Sequence, residues 1–401
     1  MSIDHLQIQI INCGKDFECA TLDALVRSTN PQHKTKYLQT LAANLDNDFK
    51  WYLAVATVSE EVVAWTCFFI DKSLAFHGLF SGILGKLYRV FPFKFKTAFI
   101  ASPIAEYNMI HISDQYKPFE SLIVDKLIDE TLRFLKTEKL RLVIVKDHIH
   151  PYSSDYFNQK FVHLHFLPGT FIDLEGIHAC EHMCRTECTG GCHCFDGYLM
   201  SLKKKWRANI RNKKNRRKDD LVIEVIDATN LSPEQNARCH ELYHQTRNKQ
   251  ELKHECLGPS YFCTCSREFG ESCKMLVAKV DENIIGFAQL LEAEDDVINV
   301  RMGMDYNYNK EYNLYYHLLY ENISYCIRNK KKKLYTSQTC YRPKLEMGAK
   351  LLPLHSYVHF TNPLLHRFLG GAIAKNCACY SELIQTDRPS EVLSKHKLCN
   401  H

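Results

Sequence analysis

Ten basic side chains and no acid stand between residues 203 and 218. So dense a run suits a polyanion, because phosphates neutralise the lysines and arginines and release counterions. Lys204, Arg207, Arg211 and Lys214 are the candidate contacts. Nucleic acid, a phosphosugar or lipid-linked precursor, and an anionic membrane surface are the partner classes, against the plain alternative of a solvated lysine-rich face. Just upstream, Cys180, Cys184, Cys188, Cys192 and Cys194 fall within 15 residues, interspersed with His178, His182 and His193. Four thiolates, Cys180, Cys184, Cys188 and Cys192, can hold zinc tetrahedrally. Their even spacing differs from the separated pairs of zinc knuckles, so the competing reading is a polar insertion of reduced thiols. Cys256, Cys263, Cys265 and Cys273 form a second group that could add ligands.

These residues need elements to place them. Leu199, Leu202, Trp206 and Ile210 recur every three to four positions, which predicts one helix over 198–218 with its apolar stripe turned inward. Like charges at i,i+4 each cost a few tenths of a kcal/mol in such a helix, so an anionic partner would stabilise it. Removing those ten from the 51 Lys and Arg leaves 41 against 46 Asp and Glu, so the excess is local to one surface. With 401 residues, 45% of them hydrophobic, the chain can build two to three packed domains, and disordered, fibrous and mini-protein classes are excluded.

A repeat organises the rest. Trp51 to Val58 and Val62 to Ile70 read as strands of a hairpin around Ser59-Glu60-Glu61, and Met275 to Val280 and Ile284 to Leu291 do so around Asp281-Glu282-Asn283. Behind the first come a strand (Thr97 to Ala101), an amphipathic helix (Phe119 to Leu135) and a strand (Leu142 to Val145). Behind the second come Val297 to Met302, Asn313 to Ile327 and Leu334 to Thr336. Leu122, Ile123, Leu127, Leu132 and Leu135 are expected on one helix face. Strand, helix, strand implies a right-handed crossover, hence an α/β protein with two mixed sheets. The expected domains are 1–168 and 169–401, the second carrying a Cys-rich insertion at 176–197 and the basic helix.

Other segments have plainer readings. Ser73 to Gly85 is 13 residues without Asp, Glu, Lys or Arg, short of the roughly 20 needed to span a bilayer. Leu74 to Phe95, basic and aromatic-rich, suits either a lipid interface or packing beneath the first sheet, and packing is preferred because the repeat requires an element there. Asp4 occupies the region where a secretory leader carries positive charge, so a cytoplasmic protein with reduced thiols, at most peripheral to a membrane, is expected. His163 and His165 share one strand face and read as structural, and Cys326 and Cys340 read as packing residues.

The segment Asn299 to Asn313, NVRMGMDYNYNKEYN, and the later Lys344-Leu345 and Gly348-Ala349 resemble the GNAT acyltransferase superfamily, in its tandem-domain branch related to the Fem aminoacyltransferases and to acyltransferases associated with biotin synthases. The resemblance covers roughly 165–365 and reaches 1–160 through the repeat. It implies two tandem GNAT-like domains, transfer of an acyl or aminoacyl group to a primary amine, and a wedge between Val297 to Met302 and Leu334 to Thr336 whose backbone N–H groups bind the donor carbonyl. On that reading Asp305 holds or deprotonates the amine, unless it merely caps a turn. Tyr306, like Tyr308 and Tyr312, either protonates the leaving group or packs over the loop; Lys344 either contacts a carboxylate or phosphate or is a plain surface lysine; and Lys310, with Tyr312 and Asn313, either holds donor phosphate or is solvated. No glycine lies between Asp305 and Asn313 to cradle a pyrophosphate. The donor therefore stays open between acyl-CoA and another carrier, a charged tRNA included. A non-enzymatic RNA- or membrane-binding module using the basic helix is the alternative.

Overall fold

The computed structural model describes residues 3, 5–13, 20–26, 29–45, 49–75, 94–102, 107, 109–152, 154–177, 192–250, 255–386 and 388–396. Cys180, Cys184 and Cys188 and nearly all of the apolar stretch 74–95 lie outside them, as does the side chain of Cys192. Among the described residues fifteen strands form two sheets. The first sheet contains β1 (Leu6–Asn12), β2 (Lys50–Val58), β3 (Glu61–Ala75), β4 (Lys94–Ile100), β5 (Ile110–Ile112), β6 (Leu142–His148) and β7 (Val162–His165). The second contains β8 (Gly169–Asp173), β9 (Val222–Asp227), β10 (Cys273–Val280), β11 (Asn283–Glu292), β12 (Asp296–Met304), β13 (Lys333–Tyr335) and β14 (Lys350–Leu352), while β15 (His355–Phe360) returns to the first.

The sheets have the same plan. The order is β1-β2-β3-β4-β6-β15-β7 in one and β9-β10-β11-β12-β13-β8-β14 in the other. In each, two antiparallel hairpin strands lead to a strand paired in parallel with the product of a helical crossover. The sixth place in the first sheet is filled by a strand from the other half, β15, between β6 and β7, and in the second by β8, the strand that opens that half, between β13 and β14. The chain passes from one sheet to the other between β7 and β8, near Pro168, but His355–Phe360 crosses back. A cut at residue 168 would strip the first sheet of β15, whose backbone hydrogen bonds could not be replaced in a buried position.

The helices are α1 (Thr35–Asn44), α2 (Glu120–Thr137), α3 (Cys192–Ser201), α4 (Lys204–Lys214), α5 (Pro233–Lys249), α6 (Tyr261–Phe269), α7 (Tyr306–Tyr312), α8 (Leu314–Arg328), α9 (Tyr341–Glu346) and α10 (Gly371–Gln385). The expected crossovers are α2 and α8. On α2 the inward face is Ile123, Val124, Leu127, Ile128, Leu132 and Leu135, whereas Leu122 is exposed, because it lies on the opposite side of the helix. The basic helix is two helices, α3 and α4, interrupted at Leu202-Lys203 where Lys203 adopts an extended conformation. Both hairpin turns are one residue shorter than expected, with Val58 opposite Glu61 and Val280 opposite Asn283. One apolar cluster spans both sheets and contains α1, α5 and α6 side chains, including Tyr37, Leu41, Tyr243, Tyr261 and Phe262. Among the described residues no helix is long and apolar enough to cross a membrane.

Candidate active site

Strands β12 and β13 pair in parallel over three positions, ending at Ile298 opposite Tyr335. β12 then runs on to Met304 against β11 alone. The two chains separate because residues after Tyr335 turn toward β8, where the Thr336 amide donates to Thr170 O at 2.8 Å. Within the separated stretch β12 bulges: Leu290 faces Asn299 and Gln289 faces Arg301, so Val300 is an extra residue. A bulge re-aims the side chains beyond it, and here Val300 and Arg301 both face the inter-sheet core. The far lip of the gap is the turn 337–340, in which Ser337, Thr339 and Cys340 all have positive φ. Such strain in non-glycine residues persists only under outside constraint. Ser337 Oγ donates to Asn299 O at 3.2 Å, Thr170 Oγ1 donates to Ser337 O, and Lys344 Nζ donates to Ser337 O at 3.1 Å and Gln338 O at 2.9 Å.

Arg301 is the functional candidate that sequence reasoning passed over. Its Nη1 donates to Val300 O at 2.5 Å, and Nη2 lies 3.8 Å from Glu255 Oε1, too long for a hydrogen bond. Nε and Nη2 are buried without a hydrogen-bond partner. Burial alone would pull the guanidinium toward neutrality, but the charge of Glu255 beside it opposes this and keeps it charged. Burial raises the pKa of the phenols of Tyr37, Tyr261 and Tyr243, so they stay neutral. A charged fork with two open donors in a low-dielectric site is built to receive a carboxylate or phosphate. A lone arginine within the apolar run Val297 to Met302 was the available signal.

The motif residues prove largely architectural. At Gly303 a Cβ would lie 2.8 Å from the backbone of Leu242 and Tyr243, so glycine lets α5 rest on β12. Asp305 is buried and caps α7, accepting from the Asn307 amide at 3.0 Å, while its second oxygen pairs with Arg238 Nη2 at 2.9 Å. Both carboxylate oxygens are thus engaged. Tyr306 is half-buried and, chiefly through burial, held protonated above the usual phenol range. Lys344, 5% exposed, points at backbone carbonyls of the turn, a positioning contact. Gly348, with φ of 88°, admits Tyr198 and Leu202 of the α3 end.

Lys310 is exposed on α7. The Tyr312 hydroxyl donates to Asp220 at 2.7 Å, which pushes its pKa up to about 12. Asn313, in a left-handed conformation, separates α7 from α8. At the start of α8 the Tyr315 amide already donates to Asn309 Oδ1 at 3.3 Å, and the Tyr316 and His317 amides donate to Asn313 O. That N-terminus is therefore committed to its own chain, and the residues present do not fit a pyrophosphate there.

Six of the ten cations of the basic run are engaged internally, Lys203 through its position 5.6 Å over the Trp206 ring. Lys213 pairs with Glu346 and lies 3.5 Å over the Tyr316 ring, Lys214 lies over Phe195, Arg207 and Arg217 donate to backbone carbonyls, and Lys218 pairs with Glu311. Lys204 and Arg211 face solvent. Through Glu346, α4 is tied to α9, whose Lys344 holds the turn at the lip of the gap.

An antiparallel hairpin leading into a parallel crossover pair, built twice in one chain and opened into a bulged gap in the second copy, is the tandem GNAT fold. A sequence profile for the FemAB-like family, described as peptidoglycan biosynthesis and recognition, matches residues 177–386, and the chain belongs to that family. The fold is shared with FemX, at 10% identity and a TM-score of 0.52 over 90% of this chain and 100% of that one. A tandem GNAT protein from the clavulanic acid biosynthesis pathway shares 10% identity at a TM-score of 0.50, covering 89% and 99%. An L-PGS from Bacillus licheniformis also aligns, with 11% identity, a TM-score of 0.46 and coverage of 84% and 91%. No curated protein matches the sequence. Family and fold together support an acyl or aminoacyl transferase.

Proposed function

We propose that the chain transfers an aminoacyl or acyl group from a carrier to a primary amine, with the reacting carbonyl held where β12 leaves β13. The observation that carries this reading is the register: pairing stops at Ile298 and Tyr335, and a single-residue bulge at Val300 follows on the free flank. The amine nitrogen adds to the carbonyl carbon, negative charge builds on its oxygen beside the bulge amides, and the bond to the carrier breaks as the leaving group takes a proton. Preorganised backbone donors at such a point contribute about 10²- to 10³-fold in rate. Arg301 holds an anionic end of the substrate. The engaged amides at the start of α8 argue for a donor other than a CoA thioester gripped by its pyrophosphate at that point. Lys204 and Arg211, on a helix tied to the gap through Glu346 and Lys344, fit a charged tRNA.

The test is transfer itself. Purified protein is incubated with aminoacyl-tRNAs or acyl-CoAs and with lysine-bearing muropeptides, and products are read by mass spectrometry. Val300→Pro, which removes the bulge amide, should lower turnover about 10²-fold or more while circular dichroism stays unchanged. A correctly folded Val300→Pro protein with wild-type turnover would refute the placement, and no product from any donor would refute the reaction.

A further inference from the structure

Three imidazoles converge at the edge of the first sheet, whereas the wedge lies in the second. His163 and His165 lie on β7, and His355 opens the exchanged strand β15. In the antiparallel ladder His355 stands opposite His165, and Tyr357 opposite His163. Residues two apart on a strand and those directly across from them share a face, so all three rings project from one side. His163 Nε2 lies 2.8 Å from His355 Nδ1, with the rings stacked at 5.1 Å, and the rings of His165 and His355 are 4.7 Å apart. One ligand nitrogen from each residue lies within 4.8 Å of the other two.

Polar bookkeeping leaves this cluster incomplete. One N–H···N bond can serve His163 and His355, but it does nothing for His165, whose Nδ1 is buried without a partner. Nor does the architecture require histidine here. Val358 opposite Val162 in the first sheet corresponds to Phe171 opposite Lys350 in the second, because each pair follows the same crossover register. Counting outward from there, His163, His165 and His355 correspond to Leu351, Pro353 and Pro168. The same corner is built from apolar residues in one half and from three imidazoles in the other.

We propose that His163, His165 and His355 bind a divalent transition-metal ion of borderline softness, zinc foremost. Neutral imidazoles select zinc, cobalt, nickel or copper over magnesium and calcium. Zinc–nitrogen bonds of about 2.0–2.1 Å put tetrahedral ligand atoms about 3.3 Å apart, so the rings need shift only on the order of 1 Å. His163 is exposed, which leaves the fourth position to water. The ion joins the last strand before the second half to the strand that returns from it. It therefore fastens the exchange between the halves and stabilises the folded chain, because the unfolded chain holds no such site. The proposal is independent of the transferase reading.

Metal-stripped full-length protein titrated with cobalt should take up one equivalent with a visible d–d band and no near-ultraviolet thiolate charge-transfer band. Zinc should displace the band and raise the melting temperature by several degrees. Because the Cys-rich segment could bind metal too, a chain with Cys180, Cys184, Cys188 and Cys192 all changed to Ser should keep both responses. His163→Ala with His355→Ala should lose both, and His165→Asn, a gentler change, should weaken them at least tenfold. No d–d band and no zinc shift in the wild type, or responses that survive the histidine substitutions, would overturn the site.

Discussion

The two halves follow one register until a single point, and there they part. In the first half Phe68 faces Ile100 and Thr66 faces Ile110; in the second, Leu290 faces Asn299 and Ala288 faces Met302. Between those landmarks the first half has nine residues of sequence, 101–109, whereas the second has only residues 300 and 301. The first half therefore ends β4 and begins β5 as a separate strand. It sends Tyr107 across to the second sheet, where it packs against Gly169 and lies 5.7 Å from the Tyr335 ring. The second half keeps one continuous strand with a bulge, and the bulge turns Arg301 into the core between the sheets. At this point one copy of the repeat packs, and the other opens the gap proposed as the site.

The largest expected effect tests what Arg301 is for. Arg301→Met removes a buried charge with two open donors and leaves a side chain of similar length. Turnover should fall at least about 100-fold, equivalent to roughly 2.7 kcal/mol of transition-state binding. Stability by urea denaturation should change by less than about 1 kcal/mol, because no complete ion pair is lost. If Arg301 were instead half of a structural pair with Glu255, breaking it would cost about 3–5 kcal/mol. A collapse in stability of that size would erase the distinction between site and packing.

Next comes the position where β12 and β5 correspond. Gly303 faces Phe287 as His111 faces Trp65, and in the second half a helix, α5, rests on the strand at this point. Gly303→Ala must displace the backbone of Leu242 and Tyr243 or the Phe287 ring. It should cost about 2–3 kcal/mol, read as a lower urea midpoint at unchanged slope. A neutral outcome would mean that α5 yields freely and that the glycine serves some other purpose.

How much could be read in advance depends on the range of the forces involved. The hairpins, both crossover helices and the edges of the wedge were legible because hydrophobic periodicity is local. The strand exchange was not, since β15 pairs with residues some 200 positions away and its apolar run would suit either sheet. The site was half legible. The wedge lay where the resemblance put it, but the motif residues Gly303, Asp305, Lys344 and Gly348 turned out to build its walls. Arg301 acquires its surroundings from Tyr37, Tyr243, Glu255 and Tyr261, which no spacing rule connects. The basic run read as one helix because its apolar stripe continues through Leu202, and nothing in that stripe marks the break.

A smaller effect separates the halves by pH. His111 is buried, and burial, reinforced by the positive charges of His33 and Lys34, lowers its pKa to about 3. The unfolded chain takes up a proton near pH 6.5 that the folded chain refuses. The stability this histidine contributes is therefore complete above pH 6.5 and declines as pH falls toward 3, by about 1.4 kcal/mol per unit. Between pH 6.5 and 5 that amounts to about 2 kcal/mol. His111→Phe should remove this part of the acid sensitivity. The share from His317, lowered to about 4 by burial and then by Arg217 and Lys214, should remain. Urea midpoints at pH 5 and 7 for both proteins decide it, and identical pH dependence would mean that His111 is protonated in the folded state.

The smallest effect asks whether the repeat is energetic as well as geometric. Both hairpins close with two residues at positive φ, Ser59 and Glu60 at 49° and 69°, Asp281 and Glu282 at 48° and 66°. Each also carries its extra residue, Val63 or Ile285, at the same distance from the turn. Left-handed conformations cost an ordinary residue about 1–2 kcal/mol, and glycine escapes most of that at some expense in unfolded-state entropy. Glu60→Gly and Glu282→Gly should therefore each stabilise the chain by about 0.5–1 kcal/mol, equally and additively, since the two turns share no contact. A gain in one hairpin and a loss in the other would show that the turns, alike in backbone, sit in unlike surroundings, so that divergence between the halves begins before the bulge.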